Sequence, residues 1–157
     1  GVVFTPWLHG NRCPFEDPNS RGMFFNISLE TGKSEMIRAV VEGVCFHMRW
    51  LLETEAKKVS TSSTIRFVGG GALNDVTCQI LADCTGRTVE TVDSPQKIVA
   101  VGTGLIKDIG EAKKLIPAAK VFKPNPALKP VYDRNYKVYT NLYKANKENF
   151  AILNGDN

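Results

Sequence analysis

Ser63–Gly86 reads STIRFVGGGALNDVTCQILADCTG, the pattern of a strand, a three-glycine turn and a helix. Thr64, Ile65, Phe67 and Val68 are β-branched or aromatic, as suits a short buried strand. Gly69, Gly70 and Gly71 can take backbone angles closed to other residues and carry no Cβ to keep a ligand away. The run that follows sets Val76, Ile80 and Leu81 on one helical face. Asp75 falls in its first turn, where a carboxylate suits the positive end of the helix dipole. Gly86 is placed to stop the helix. A turn of this kind, at the carboxyl end of a strand, is where α/β folds commonly bind nucleotides. Neither standard fingerprint is present: Asn74 stands where GxGxxG needs its third glycine, and no GxxxxGKS or GxxxxGKT occurs. A tight connector with no ligand is the other reading of the same residues.

The 157 residues suit one domain with a real core, or a piece of something larger. Hydrophobic content of 43% and charged content of 23% are those of a soluble globular protein. The net charge of +4 is mild and spread out, so neither nucleic acid nor a membrane surface is an expected partner. No apolar run reaches the ~18 residues of a membrane span. Cys13, Cys45, Cys78 and Cys84 form no CxxC pair, and only His9 and His47 could join them around a metal. Buried reduced thiols and a cytoplasmic location are therefore expected, with no metal site. Asn26-Ile27-Ser28 matches the glycosylation pattern but carries little meaning without a signal peptide. The apolar start Gly1-Val2-Val3-Phe4, with no initiator Met, gives the expectation of a domain cut from a longer polypeptide.

Residues 5–22 read as an irregular loop punctuated by Pro6, Gly10, Pro14, Pro18 and Gly22. It is either functional or a surface connector pinned by Arg–carboxylate pairs. Phe24–Leu29 reads as a strand. Ser34 is a fair N-cap, with Glu35 in the first turn, for a long helix to about Lys57. Its stripe is Ile37, Val41, Val44, Met48, Leu51 and Leu52, widened by Ala39, Val40, Cys45 and Phe46. Gly43 costs roughly 1 kcal/mol against Ala in mid-helix, which suggests that another element approaches there. Met48 and Trp50 read as core packing, and His47, off the stripe, as a surface or hydrogen-bonded side chain. Thr88–Val92 alternates as a strand, and Ser94-Pro95 opens a helix from about Gln96 to Ile109 with Gly102 and Gly104 inside it. Lys120–Pro130 reads as extended, with Pro124, Pro126 and Pro130 blocking a helix. An amphipathic helix follows from Tyr132 to about Ala151, bearing Tyr136, Tyr139, Leu142, Tyr143 and Phe150. The domain is expected to span 1–153, with a disordered tail at 154–157.

Three blocks, in this order and spacing, resemble the carboxyl-terminal half of the FGGY family of carbohydrate kinases, especially its xylulokinase-like branch. They are the loop GNRCP (10–14) with Asp17-Pro18 and Arg21-Gly22, the helix RAVVEGV (38–44), and GGGA (69–72) followed by QILAD (79–83). The similarity covers roughly residues 2–110, and the Tyr-rich last helix is similar to the family's usual ending.

The resemblance implies an α/β, actin-like ATPase (ribonuclease H-like) domain with a central mixed sheet flanked by helices. Family members have two such domains, with sugar held mainly by the first and nucleotide in the cleft between them. By that resemblance Gly69, Gly70 and Gly71 would let the main chain approach the adenosine of ATP, and Ala72 and Leu73 would shape the wall. Asn74 would hydrogen-bond near the adenine, since an amide both donates and accepts. Simple helix capping is the alternative for Asn74. The family's catalytic Asp lies in the first domain, and its phosphate-gripping hairpins precede Gly1. The chain alone should therefore be inactive and hold no catalytic residue of its own, with ATP/ADP and Mg expected in the full-length enzyme. Asp17, Glu42 and Asp83 make no catalytic pair and read as ion-pair or helix-end residues. The expected function is an ATP-dependent sugar kinase that moves the γ-phosphoryl group to a pentulose-like hydroxyl. A non-catalytic actin-like binding or assembly module is the alternative, and a free-standing nucleotide-binding regulator is a third reading. The Tyr-bearing last helix, read as exposed, could pack on a partner such as a second copy in a homodimer.

Overall fold

The first tertiary constraint is a missing side chain. In the computed structural model, which describes residues 1–92 and 117–155, Val3–Thr5 (β1) pairs antiparallel with Met23–Phe25 (β2), Val3 opposite Phe25. The helix Lys33–Ala56 (α1) lies against β1 so closely that a Cβ on Gly43 would sit 2.2 Å from the Phe4 carbonyl oxygen. The expected close approach at Gly43 is therefore to the first strand. This contact also rotates the helix. Ala39, Glu42, Gly43, Cys45 and Phe46 are its buried residues, while Ile37 and Val40, placed in the apolar stripe by spacing, are 56% and 37% exposed. Glu42 stays inside by accepting from Arg38 Nε at 2.7 Å. Met48 and Trp50 pack against the core as expected. The N-cap is Gly32, two residues before Ser34, because Glu35 Oε2 reaches back to the Gly32 amide at 3.1 Å. The strand expected at 24–29 stops at Phe25, where Asn26 turns the chain at φ 66°.

The loop at 5–22 is pinned, but not by Arg–carboxylate pairs. Asn11 and Asp17 exchange main-chain hydrogen bonds at 2.9 and 2.8 Å, and Asn11 Nδ2 donates to the carbonyls of Cys13 and Phe15. Arg21 donates to the carbonyls of Pro18 and Ser20. Beneath the loop lies Trp7, its ring 5.5 Å from those of Phe15 and Tyr139 and 5.7 Å from that of Tyr143.

These tyrosines come from the last helix, Lys129–Asn154 (here α3). Tyr132, Tyr136, Tyr139, Leu142 and Phe150 are all buried in this chain's own core. The expectation of an exposed tyrosine face for a partner is overturned, and with it the basis for a homodimer through that face. Pro130 does not block this helix. It occupies the first turn, where a missing N–H costs nothing. At the other end, Asn154 Nδ2 donates to the Asn19 carbonyl at 3.1 Å, so Asn154 belongs to the helix and not to a tail.

The second sheet is mixed. Thr64–Arg66 (β3) runs parallel to Thr88–Thr91 (β4), which pairs antiparallel with Lys120–Phe122 (β5). Asp75–Thr85 (α2) supplies the crossover a parallel pair requires. Gly86 ends it in the left-handed region at φ 68°, as expected. Its buried residues are Cys78 and Ile80–Cys84, whereas Val76, assigned inward by spacing, is 61% exposed. The helix expected at 96–109 lies outside the described residues.

His47 Nδ1 sits 3.1 Å from the Tyr139 hydroxyl, half-buried, and desolvation holds its pKa below the ordinary 6.5, the Cys13 carbonyl opposing in part. The folded state therefore binds fewer protons than the unfolded state from about pH 6.5 down to the lowered pKa, so acidification through that window destabilises the fold. Urea unfolding at about pH 7.5 and about pH 5.5 should show a loss of stability that His47→Gln reduces. Gly43→Ala should cost about 3 kcal/mol by the same measurement, because the clashing atom is main chain and cannot swing away.

Candidate functional site

At the carboxyl end of β3 the three glycines do three different jobs, and only one needs an unusual angle. Gly69 adopts φ 100°, ψ −172°, a region closed to residues with a Cβ. Gly70 and Gly71 lie inside a 3₁₀ turn, Gly70–Leu73, so of the three glycines only Gly69 uses the backbone freedom that all three have. Gly71 is small because a Cβ there would meet the Phe67 ring at 2.9 Å. Gly70 has neither reason: its φ lies outside the left-handed region, and a Cβ would have nothing within 4 Å among the described residues. Its main chain is bare on that side of the described residues.

Beside the turn is a hollow of about 370 Å³, near the lower end of the ~300–1,000 Å³ typical of ligand pockets. Val68, Gly69, Ala72 and Leu73 line it from the turn, and Thr91, Val92, Ala119 and Lys120 from the ends of β4 and β5. Gly69 and Ala72 are thus brought to its wall. Gly70, Gly71 and Asn74 sit next to it in the turn without lining it.

Asn74 caps α2. Its Oδ1 accepts the Thr77 amide at 3.1 Å, which answers the question the sequence left open: capping is present. Its Nδ2 has no hydrogen bond among the described residues, so the donor half of the amide is available to a ligand. Cys78 Sγ donates to the Ala72 carbonyl at 3.6 Å, fastening the turn to the first turn of the helix. Asp75, also at the helix start, holds Lys120 Nζ at 2.8 and 3.0 Å.

The carboxylates set aside from catalysis have structural partners. Glu42 pairs with Arg38. Asp17 Oδ1 accepts the Asn19 amide at 2.9 Å. Asp83 is a helix-end residue, in the last turn of α2: buried at 5% exposure, its Oδ1 accepts from the Asn125 amide at 2.7 Å and from Gln79 Nε2 at 2.9 Å. Among the described residues no three His, Cys, Asp or Glu side chains converge on a metal position. The thiols Cys45, Cys78 and Cys84 are buried and Cys13 is exposed. Cys84 is pushed far up by its Cys45 neighbour and by burial, and Cys78 is raised by burial. Both are protonated near neutrality and unsuited to nucleophilic work.

Sequence reasoning missed the far wall. Thr91 and Val92 were read only as strand, and Lys120 lay in a segment read as proline-rich and extended. The usable signal was the β-branched and aromatic pair Val121-Phe122 between Lys120 and Lys123, which suits a short strand.

The chain matches the model of the FGGY family of carbohydrate kinases, C-terminal domain, over residues 1–106. It is 30% identical to a xylulose kinase of Staphylococcus epidermidis over 161 residues, which covers 98% of this chain and 32% of that protein. Among solved structures, a gluconate kinase from Lactobacillus acidophilus superposes with TM-score 0.84 at 26% identity. A ligand-bound xylulose kinase from the same organism gives 0.83 at 26%. Each alignment covers 97% of this chain and 32% of the other. The chain thus spans about a third of the length of the relatives it matches, and its α/β fold is the actin-like ATPase fold of those kinases.

Removing the α2 cap in Asn74→Ala should lower stability by about 1 kcal/mol, and Asn74→Asp, which keeps the acceptor, should not. Thermal unfolding of the two variants checks this.

Proposed function

This chain belongs to the FGGY family of carbohydrate kinases, and we propose that it forms the ATP-binding, carboxyl-terminal domain of a cytoplasmic sugar kinase. The observation that carries the reading is Gly70, a residue without a side chain for which the described residues give no internal reason. A ligand whose flat face lies against the main chain supplies that reason, and a purine nucleoside is such a ligand. Gly69 shapes the bend, Ala72 and Leu73 offer an apolar wall, and the free amide donor of Asn74 meets an acceptor on the purine edge. A mostly apolar hollow would suit a nucleoside better than its charged phosphates.

ATP supplies the γ-phosphoryl group, which passes to a sugar hydroxyl. In such transfers the protein mainly positions the reactants and stabilises charge. The described residues of this chain position the nucleoside. They form no acidic cage for Mg²⁺, so a bound Mg²⁺ would rest on phosphate oxygens, water and groups outside these residues. The sugar, its catalytic carboxylate and the phosphate grip belong to the family's other domain, where specificity would also reside. A pentulose is the proposed acceptor, on the strength of the xylulose kinase relatives. Closure of the two domains would exclude water from the transfer.

Gly70→Val tests the site, because a Cβ at Gly70 meets nothing within 4 Å among the described residues. Calorimetric titration of ADP into the full-length protein should show affinity falling by a factor on the order of ten or more, as expected when a snug face is lost. Unchanged affinity would remove the role given to the turn.

A further inference from the structure

The geometry points to Gln79 and Asp83 as positioning residues that set the width of the nucleoside hollow, an inference that rests on the site proposed above. Two of the hollow's lining residues, Ala119 and Lys120, lie at the start of β5. That strand is short and mostly exposed, and among the described residues it lies at the sheet edge and pairs with β4 alone. Edge pairing over three residues is a weak way to fix a wall.

What holds it is α2. Gln79 Nε2 donates both to Asp83 Oδ1 and to the Lys123 carbonyl, each at 2.9 Å. Asp83 Oδ1 accepts the Asn125 amide at 2.7 Å, a charge-assisted bond of the stronger kind. One turn earlier, Asp75 holds Lys120. The helix that begins at the glycine turn therefore also grips the chain just past β5, so one rigid element spaces both sides of the hollow. Gln79 and Asp83 touch no nucleotide in this arrangement; they act through Lys120 and Ala119.

The test uses the full-length protein, titrated with ADP well below its melting temperature. Gln79→Ala should weaken ADP binding by a factor on the order of ten, the scale expected when a supporting group is removed. It should raise KM for ATP more than it lowers kcat, and speed amide exchange at Asn125. Asp83→Asn keeps the Oδ1 acceptor and should stay near the parent, whereas Asp83→Ala should behave as Gln79→Ala or worse. If Asp83→Ala fails to fold, Gln79→Ala alone decides, since Gln79 is only half-buried. ADP affinity unchanged in Gln79→Ala, while Gly70→Val weakens it, would overturn the positioning role and leave the site standing. ADP affinity unchanged in both would overturn the site itself, and the positioning role with it.

Discussion

The structure depends on how closely α1 and α2 can lie together, and small side chains make that approach possible. Cys45 on α1 is fully buried, as is Cys78 on α2, with Ala82 and Cys84 beside it. Cys84 Sγ donates to the Cys45 carbonyl at 3.7 Å, and Cys45 Sγ to the Thr77 carbonyl at 3.8 Å. Each contact is weak, yet sulfur and methyl groups fill the space where a larger residue would force the helices apart. On its other side α1 meets β1 at Gly43, again through the absence of a side chain. The helix is thus set between a strand and a second helix with little freedom to shift.

Placement of the site follows from this stacking. Once α2 is fixed by α1, the position of its first turn is fixed, and the glycine turn is tied to that turn by the Asn74 cap and by Cys78. Rigid packing below and bare main chain above is the arrangement a binding surface needs, because the ordering of the loop precedes the ligand. The aromatic cluster around Trp7 does the same for the amino-terminal loop. Phe15 stacks on Tyr143 at 3.6 Å, so a long irregular segment becomes a fixed surface.

Much of this was legible in the residues. The strand–turn–helix at 64–86 and the close approach at Gly43 follow from propensity and from the cost of glycine. The faces of the helices were harder to read. Ile37 and Val76 are apolar and correctly spaced, yet they point outward, because what turns each helix is a contact with a residue far off in sequence. The tyrosines of α3 were misread for a related reason. Their partners, Trp7 for Tyr139 and Tyr143 and Phe46 for Tyr132 and Tyr136, lie more than eighty residues away, and a ring with a hydroxyl looks equally at home at a surface. The division of labour among Gly69, Gly70 and Gly71 was not readable at all, since it depends on where Phe67 lies. Asp83 was hidden likewise: a carboxylate in the last turn of a helix gives no hint that a main-chain amide 42 residues onward needs it.

Everything proposed for the site rests on the main chain at Gly69–Gly71 receiving a purine nucleoside. The most direct measurement is a crystal structure of the full-length protein with ADP bound. Adenosine density should lie against Gly70, with the Asn74 amide within hydrogen-bond distance of the purine. Nucleoside density elsewhere in the protein, with only solvent against Gly70, would contradict it.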